Sequence, residues 1–241
     1  MPAATPPVLP RRSPRPLRRP AAVIFDMDGL MLDTEPLAAR AWADAAGRLG
    51  IDFDPAVTPR LVGRNFPDCR ALIAAHHGNR YPVDALMHAW AEAYDAIVAR
   101  EGIGQKDGLG ELLAWLERED IPKAVATSTR RARAEAKLAA AALLERFAAL
   151  VGGDEVANGK PAPDIFVEAA ARLGIAAADC VVLEDSEPGI NAALAARMIP
   201  IMVPDQAPPS AALLAREPLV LLTLAQVHAH LAALPAAERV R

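Results

Sequence analysis

The feature that most constrains this chain is a set of apolar runs too short to be helices, each closing on a polar residue. Residues 22–25 (Ala-Val-Ile-Phe) end in Asp26, residues 124–126 (Ala-Val-Ala) in Thr127, and residues 181–183 (Val-Val-Leu) in Glu184. Leu150-Val151 and the stretch around Ile199, Ile201, Met202 and Val203 have the same character. Continuous apolar runs, without polar–apolar alternation, suit strands buried on both faces. Helical patterns at 109–119, 131–147, 164–173 and 189–197 separate them. Strands alternating with amphipathic helices predict an α/β fold: a Rossmann-like, doubly wound parallel sheet covered on both sides.

One interval breaks the alternation. Residues 35–105 hold no convincing strand, only helical stretches at 36–49, 66–77 and 83–100 divided by Gly50, Gly63, Gly78 and prolines. An all-helical insert directly after the first strand would lie over the carboxyl edge of the sheet, where such folds bind ligands. The 241 residues then divide into a leader (1–20), a core (21–34 and 106–234), a helical cap (35–105) and a short tail (235–241). No internal repeat is evident. The alanine-rich stretch 134–149 has a packing face in Leu138, Leu143, Leu144 and Phe147, which predicts ordinary helix.

Composition narrows the function classes. With 53% hydrophobic and 23% charged residues the chain has material for a core, and two cysteines exclude a disulfide scaffold and fit a reducing cytoplasm. Aromatics are 4%, leaving few rings to stack on bases, so no nucleic-acid partner is expected. No run reaches the roughly 18 apolar residues of a membrane span, and no membrane partner is expected. The net charge of −4 conceals a leader with five arginines and no acid, so the rest carries about −9. Seven prolines in the first twenty residues predict an extended, disordered leader. Arg11-Arg12 lacks the apolar run of an export signal. A cytoplasmic monomer is the expectation.

Four segments carry chemistry, each at the end of a predicted strand. Asp26 and Asp28, two apart before Gly29, are hard to justify structurally, because neighbouring like charges oppose each other's ionisation. They suit phosphoryl transfer: one carboxylate attacks phosphorus and the other handles the proton of the leaving group and then of water. A divalent cation would offset repulsion between that nucleophile and an anionic ester. Thr127-Ser128 could hold a phosphate oxygen, or only cap a helix. Lys160, between Gly159 and Pro161, could be aimed at the phosphate, or be a solvated loop lysine; Asp164 reads as an N-cap. Glu184-Asp185 offer oxygen ligands to a hard cation such as Mg2+.

Taken together, these segments resemble the four motifs of the haloacid dehalogenase superfamily, in the right order. The stretches Phe25-Asp26-Met27-Asp28-Gly29, Gly159-Lys160-Pro161-Ala162-Pro163-Asp164 and Leu183-Glu184-Asp185-Ser186-Glu187-Pro188-Gly189, with the helical insert, are similar to the branch of β-phosphoglucomutase and small-metabolite phosphatases. The resemblance spans about 21–234. It implies Asp26 as the nucleophile forming an aspartyl-phosphate and Asp28 as general acid/base. Thr127 and the Ser128 backbone would bind the phosphoryl group, with Lys160 neutralising its charge. Mg2+ would be held by Asp26, the Asp28 carbonyl and Asp185, with Glu184 a further ligand or an orienter. The insert would be a mobile cap, in which Arg64 and Asn65 resemble the stretch that meets the leaving group.

The implied activity is Mg-dependent hydrolysis of a small phosphate ester, a sugar phosphate or nucleotide-like metabolite. The rivals are a mutase of the β-phosphoglucomutase type and a non-catalytic phospholigand-binding protein. Arg64-Asn65-Phe66-Pro67-Asp68 lacks the Arg-Glu-Asp pattern of the mutase cap loop, which favours hydrolysis. Residues 35–105 contain no lysine for a Schiff base, which argues against a phosphonatase. One departure is Arg197, where the family usually has glycine. His76, His77 and His88 have no metal spacing, His228 and His230 have no evident role, and Cys180 reads as a small buried hydrophobe.

Overall fold

A computed structural model describes residues 18–61, 64, 66–78, 80–205 and 207–236. The short apolar runs form strands β1 (Ala22–Phe25), β2 (Lys123–Ala126), β3 (Ala149–Val151), β4 (Cys180–Glu184) and β5 (Ile199–Met202), joined by a two-residue β6 (Leu219–Val220). Every pairing is parallel, in the order β3-β2-β1-β4-β5-β6. The order reverses beside β1, so the crevice at the carboxyl ends of β1 and β4 is the switch point at which open sheets take ligands.

Alternate side chains of β1 feed two different cores, as the pleat dictates. Val23 and Phe25 join the layer of α5 (Leu109–Arg118) and α10 (Leu224–Ala232); Ala22 and Ile24 join that of α7 (Asp164–Leu173) and α8 (Glu187–Ala195). The short α9 (Ala211–Leu214) packs with β5 and α8. Between β1 and β2 the chain is helical: α1 (Glu35–Leu49), α2 (Thr58–Leu61), α3 (Phe66–His77) and α4 (Val83–Glu101). These helices have their own apolar clusters around Trp42, Ile73, Leu86 and Met87, and around Tyr94 and Ile97. Among the described residues no helix is long and apolar enough to cross a membrane.

The two connections to the helical insert run side by side. Leu32 and Gln105 form an antiparallel bridge, the Asp33 amide donates to the Gly104 carbonyl (2.9 Å), and the Lys106 amide donates to that of Met31 (2.8 Å). Lys106 Nζ then ties Asp33 (2.6 Å) to Asp205 beyond β5 (2.8 Å).

Two local readings are corrected. The helix expected at 131–147 is α6 (Arg131–Ala140), ended by Ala142 at φ 55° with the Leu143 amide returning to the Leu138 carbonyl. That left-handed stop usually carries glycine, so alanine gave no signal of it. Past it, Leu143 and Phe147 still pack in the core, Phe147 edge-on to Phe25. Asp164 is the first residue of α7, not its cap; Pro163 precedes it, and its carboxylate accepts from Asn158. Most of the leader, residues 1–17, lies outside the described residues. Arg18 pairs with Asp179, and Arg19 pairs with Glu119 and lies over the Trp115 ring.

Candidate active site

The crevice is built on strand ends. Asp26 continues β1, its amide donating to the Leu183 carbonyl of β4 (3.0 Å). Met27 turns into the core, which leaves Asp26 and Asp28 on the opening of the cleft. Gly29 makes the turn that follows at φ 87°; a Cβ there would stand 2.4 Å from an Asp185 oxygen, so only glycine lets the first loop approach the fourth this closely.

Lys160 holds the centre. Its ammonium donates to Asp26 Oδ1, to Glu184 Oε1 (2.6 Å) and to the Ala126 carbonyl (3.2 Å), and lies 5.0 Å from the Phe166 ring. All three donors are used. Burial alone would lower its pKa, but Asp26 and Glu184 together raise it, so the lysine is charged. Glu184 is enclosed, its second oxygen accepting from the amide and hydroxyl of Ser186 (both 2.8 Å). Gly189 in the first turn of α8 makes room, since a Cβ there would fall 1.8 Å from Glu184 Oε1.

Asp185 contrasts with these residues. It is buried, and neither of its carboxylate oxygens has a hydrogen-bond partner. Burial, then Glu184 and Asp26, push its pKa well up. Asp26 is pushed up to about 7 by burial, against the pull of Lys160. Oxygens of Asp26, Glu184 and Asp185 lie within 4.8 Å of one another. Lys160 pairs with Asp26 and Glu184 but leaves the buried Asp185 carboxyl beside them without a partner. This donor set fits a hard divalent cation.

Asp28 faces the other side of the cleft. Its Oδ1 accepts from Lys137 Nζ (2.6 Å) and its Oδ2 from Thr129 Oγ1 (2.7 Å). Burial raises its pKa, but Lys137 and the hydrogen bonds outweigh burial and hold it below the usual carboxylate value. Thr127, buried at the end of β2, accepts from the Thr129 amide (3.1 Å), and Ser128 lines the cleft next to it. Thus Asp26, Asp28, Thr127, Ser128, Lys160, Glu184 and Asp185 gather at one sheet edge.

The opposite wall comes from the helical insert, and the open cavity between the two has a volume of about 600 Å³ with Trp42, Phe66, Trp90 and Tyr94 on its lining. Arg64 is exposed, lines this cavity and donates from Nε to the Arg60 carbonyl (2.9 Å); Asn65 lies outside the described residues. Thr129, Lys137 and Glu35 were not singled out in the sequence. Glu35, at the start of α1, is pushed up to about 7, chiefly by burial and then by Asp28 and Asp205.

Comparisons with known proteins agree with this geometry. Fructose-1-phosphate phosphatase YqaB of Escherichia coli K12 is 37% identical over 182 residues, covering 75% of this chain and 94% of that protein. Beta-phosphoglucomutase of Bacillus subtilis is 35% identical over 190 residues, covering 76% and 82%. The crystal structure of CbbY from Rhodobacter sphaeroides in complex with phosphate superposes with a TM-score of 0.74 at 29% identity, covering 86% of this chain and 96% of that one. The model of the haloacid dehalogenase-like hydrolases matches residues 20–197, from the strand before the paired aspartates to the end of the helix after Glu184-Asp185, and the chain belongs to that family.

Proposed function

We propose that this chain hydrolyses a small phosphorylated metabolite, a sugar phosphate or nucleotide-like ester, through an aspartyl-phosphate on Asp26. The observation that carries the reading is that Asp26, which lines the cleft, is joined to the buried Lys160 and lies beside the unpartnered Asp185. An Asp26 oxygen attacks phosphorus as the bond to the ester oxygen breaks, and that oxygen takes a proton from Asp28 in its acid form. Water then attacks the phosphorus, the bond to Asp26 breaks with its electron pair returning to the carboxylate, and Asp28 takes the water's proton. Lys137 and Thr129 favour the ionised form of Asp28, which suits this second half; the acid form of the first half would keep the Lys137 contact and give up that of the Thr129 hydroxyl to carry its proton.

Lys160 would neutralise the phosphoryl oxygens as well as Asp26, with Thr127 and the Ser128 backbone binding them from the end of β2. Asp26, Asp185 and the Asp28 carbonyl would hold Mg2+, which when bound supplies positive charge beside an anionic nucleophile and an anionic ester. Glu184, both of whose oxygens are engaged, would orient Lys160 and not ligate the ion. Arg64 and Asn65 would meet the leaving group.

Asp26→Asn should lower phosphate release from p-nitrophenyl phosphate by roughly 10⁴-fold or more while thermal unfolding is unchanged, and substantial residual activity would sink the nucleophile assignment. EDTA should stop turnover and added Mg2+ restore it; indifference to chelation would remove the metal from the reading. The similarity to a mutase keeps isomerisation as the second reading. Following released phosphate and sugar-phosphate isomers in one reaction separates the two.

A further inference from the structure

The chain carries only four lysines, at 106, 123, 137 and 160, amid many arginines. Three of them touch acids at the cleft or its hinge: Lys106 on Asp33 and Asp205, Lys160 on Asp26 and Glu184, and Lys137 on Asp28. A lysine offers a compact charge on a long stem where an arginine would bring a broad planar fork. The first two brace backbone segments or the nucleophile. Lys137 is the one of the three that grips the acid/base.

Its surroundings suggest more than neutralisation. Lys137 Nζ and Thr129 Oγ1 take one oxygen each of Asp28, at 2.6 and 2.7 Å, so the plane of a carboxylate that hangs on β1 is set by residues of the β2–α6 segment. The same ammonium lies 4.9 Å from the centre of the Tyr94 ring, on α4 of the insert. One turn earlier on the same face of α6, Arg133 lies 5.8 Å from the Trp90 and Tyr94 rings and pairs with Asp95. Lys137 is thus held between the acid/base below and a cap aromatic above.

We propose that Lys137 is a positioning residue that aims the Asp28 carboxyl at the leaving-group oxygen, and that the face of Tyr94 holds it in that pose while α4 is seated against α6. The inference rests on the reading of Asp28 as general acid.

Leaving groups test it. A p-nitrophenolate departs with little need of a proton, whereas an alkoxide needs one, and kcat/KM covers only the steps up to leaving-group release. Lys137→Met should depress kcat/KM for alkyl phosphates such as glycerol phosphate about 30-fold more than for p-nitrophenyl phosphate, within the range a general acid supplies. Equal losses for both esters would overturn the proposal. Tyr94→Leu should show the same selectivity at about 5-fold, and Tyr94→Phe, which keeps the ring face, should show none. If Tyr94→Leu matches Tyr94→Phe, the cap contact is refuted. This pair also decides the matter if Lys137→Met fails to fold. Asp28→Asn separates the two layers of argument. If it lacks leaving-group selectivity, Asp28 is not the acid, and the acid/base assignment falls together with the role of Lys137. If it is selective and Lys137→Met is not, only the role of Lys137 falls. In the Asp28→Asn background, Lys137→Met should add no further selectivity, and an additional loss confined to alkyl esters would overturn the proposal.

Discussion

The two walls of the cleft are made on different principles. The floor, at the ends of β1, β2 and β4, is an array of buried charges in which Lys160, Ser186, Thr129 and Lys137 satisfy Asp26, Glu184 and Asp28 and leave Asp185 without a partner. The opposite wall is largely aromatic, with Trp42, Phe66, Trp90 and Tyr94 on the cavity lining and Arg64 beside them. Buried charge demands fixed geometry, because each unpaired group in low dielectric is expensive. Aromatic surface tolerates many shapes of leaving group at similar energy. On the proposed reading the difference would separate reaction from recognition: the floor would accept a phosphoryl group whatever carries it, and the roof would select the carrier.

That division can be broken by experiment. The largest effect is expected where the floor loses support without losing a reacting group. Gly189→Ala places a methyl on Glu184, displacing it from Lys160, and should reduce kcat by about 10–100-fold for every ester alike. Ester-dependent losses would show that the floor also selects. A smaller effect is expected at the roof. Phe66 is 40% exposed, so Phe66→Ala empties no core; it should raise KM about tenfold for leaving groups that reach the ring and leave kcat nearly unchanged. A uniform fall in kcat would contradict a purely selective roof. The smallest lies outside both walls. Arg197 is exposed at φ 59°, and Arg197→Gly should stabilise the core by about 1 kcal/mol, raising Tm by about 2–4 °C with steady-state kinetics unchanged. An unchanged Tm would show that the left-handed arginine is not strained.

The floor was legible in the sequence because its residues sit in short segments tied to strand ends, where local pattern and chemistry coincide. Asp26, Asp28, Lys160, Glu184 and Asp185 each lie within or beside an apolar run or a glycine–proline turn. Thr129 belongs to the Thr127-Ser128-Thr129 segment, whose pattern does not say which hydroxyl meets the acid. Lys137 faces Asp28 from a helix a hundred residues away, and an alanine-rich helix conceals which face it presents. The scarcity of lysine was the usable signal. The 4% aromatic content misled by its average, since six of the ten Phe, Trp and Tyr residues lie within 35–105. β6 could not be read from two half-buried residues, nor the end of α6 from an alanine in a conformation that normally announces itself with glycine.

The paired connections at Leu32–Asp33 and Gly104–Lys106 also bear on how such a molecule can change over time. The insert leaves and re-enters the core at adjacent points, where a bridge and a few hydrogen bonds tie the two connections to each other. The partners of β1 in the sheet are β2 and β4, and no residue between those points takes part in its register. The helical unit can therefore lengthen, shrink or be exchanged as a cassette, so that a lineage acquires a new substrate by replacing its roof while inheriting the same floor.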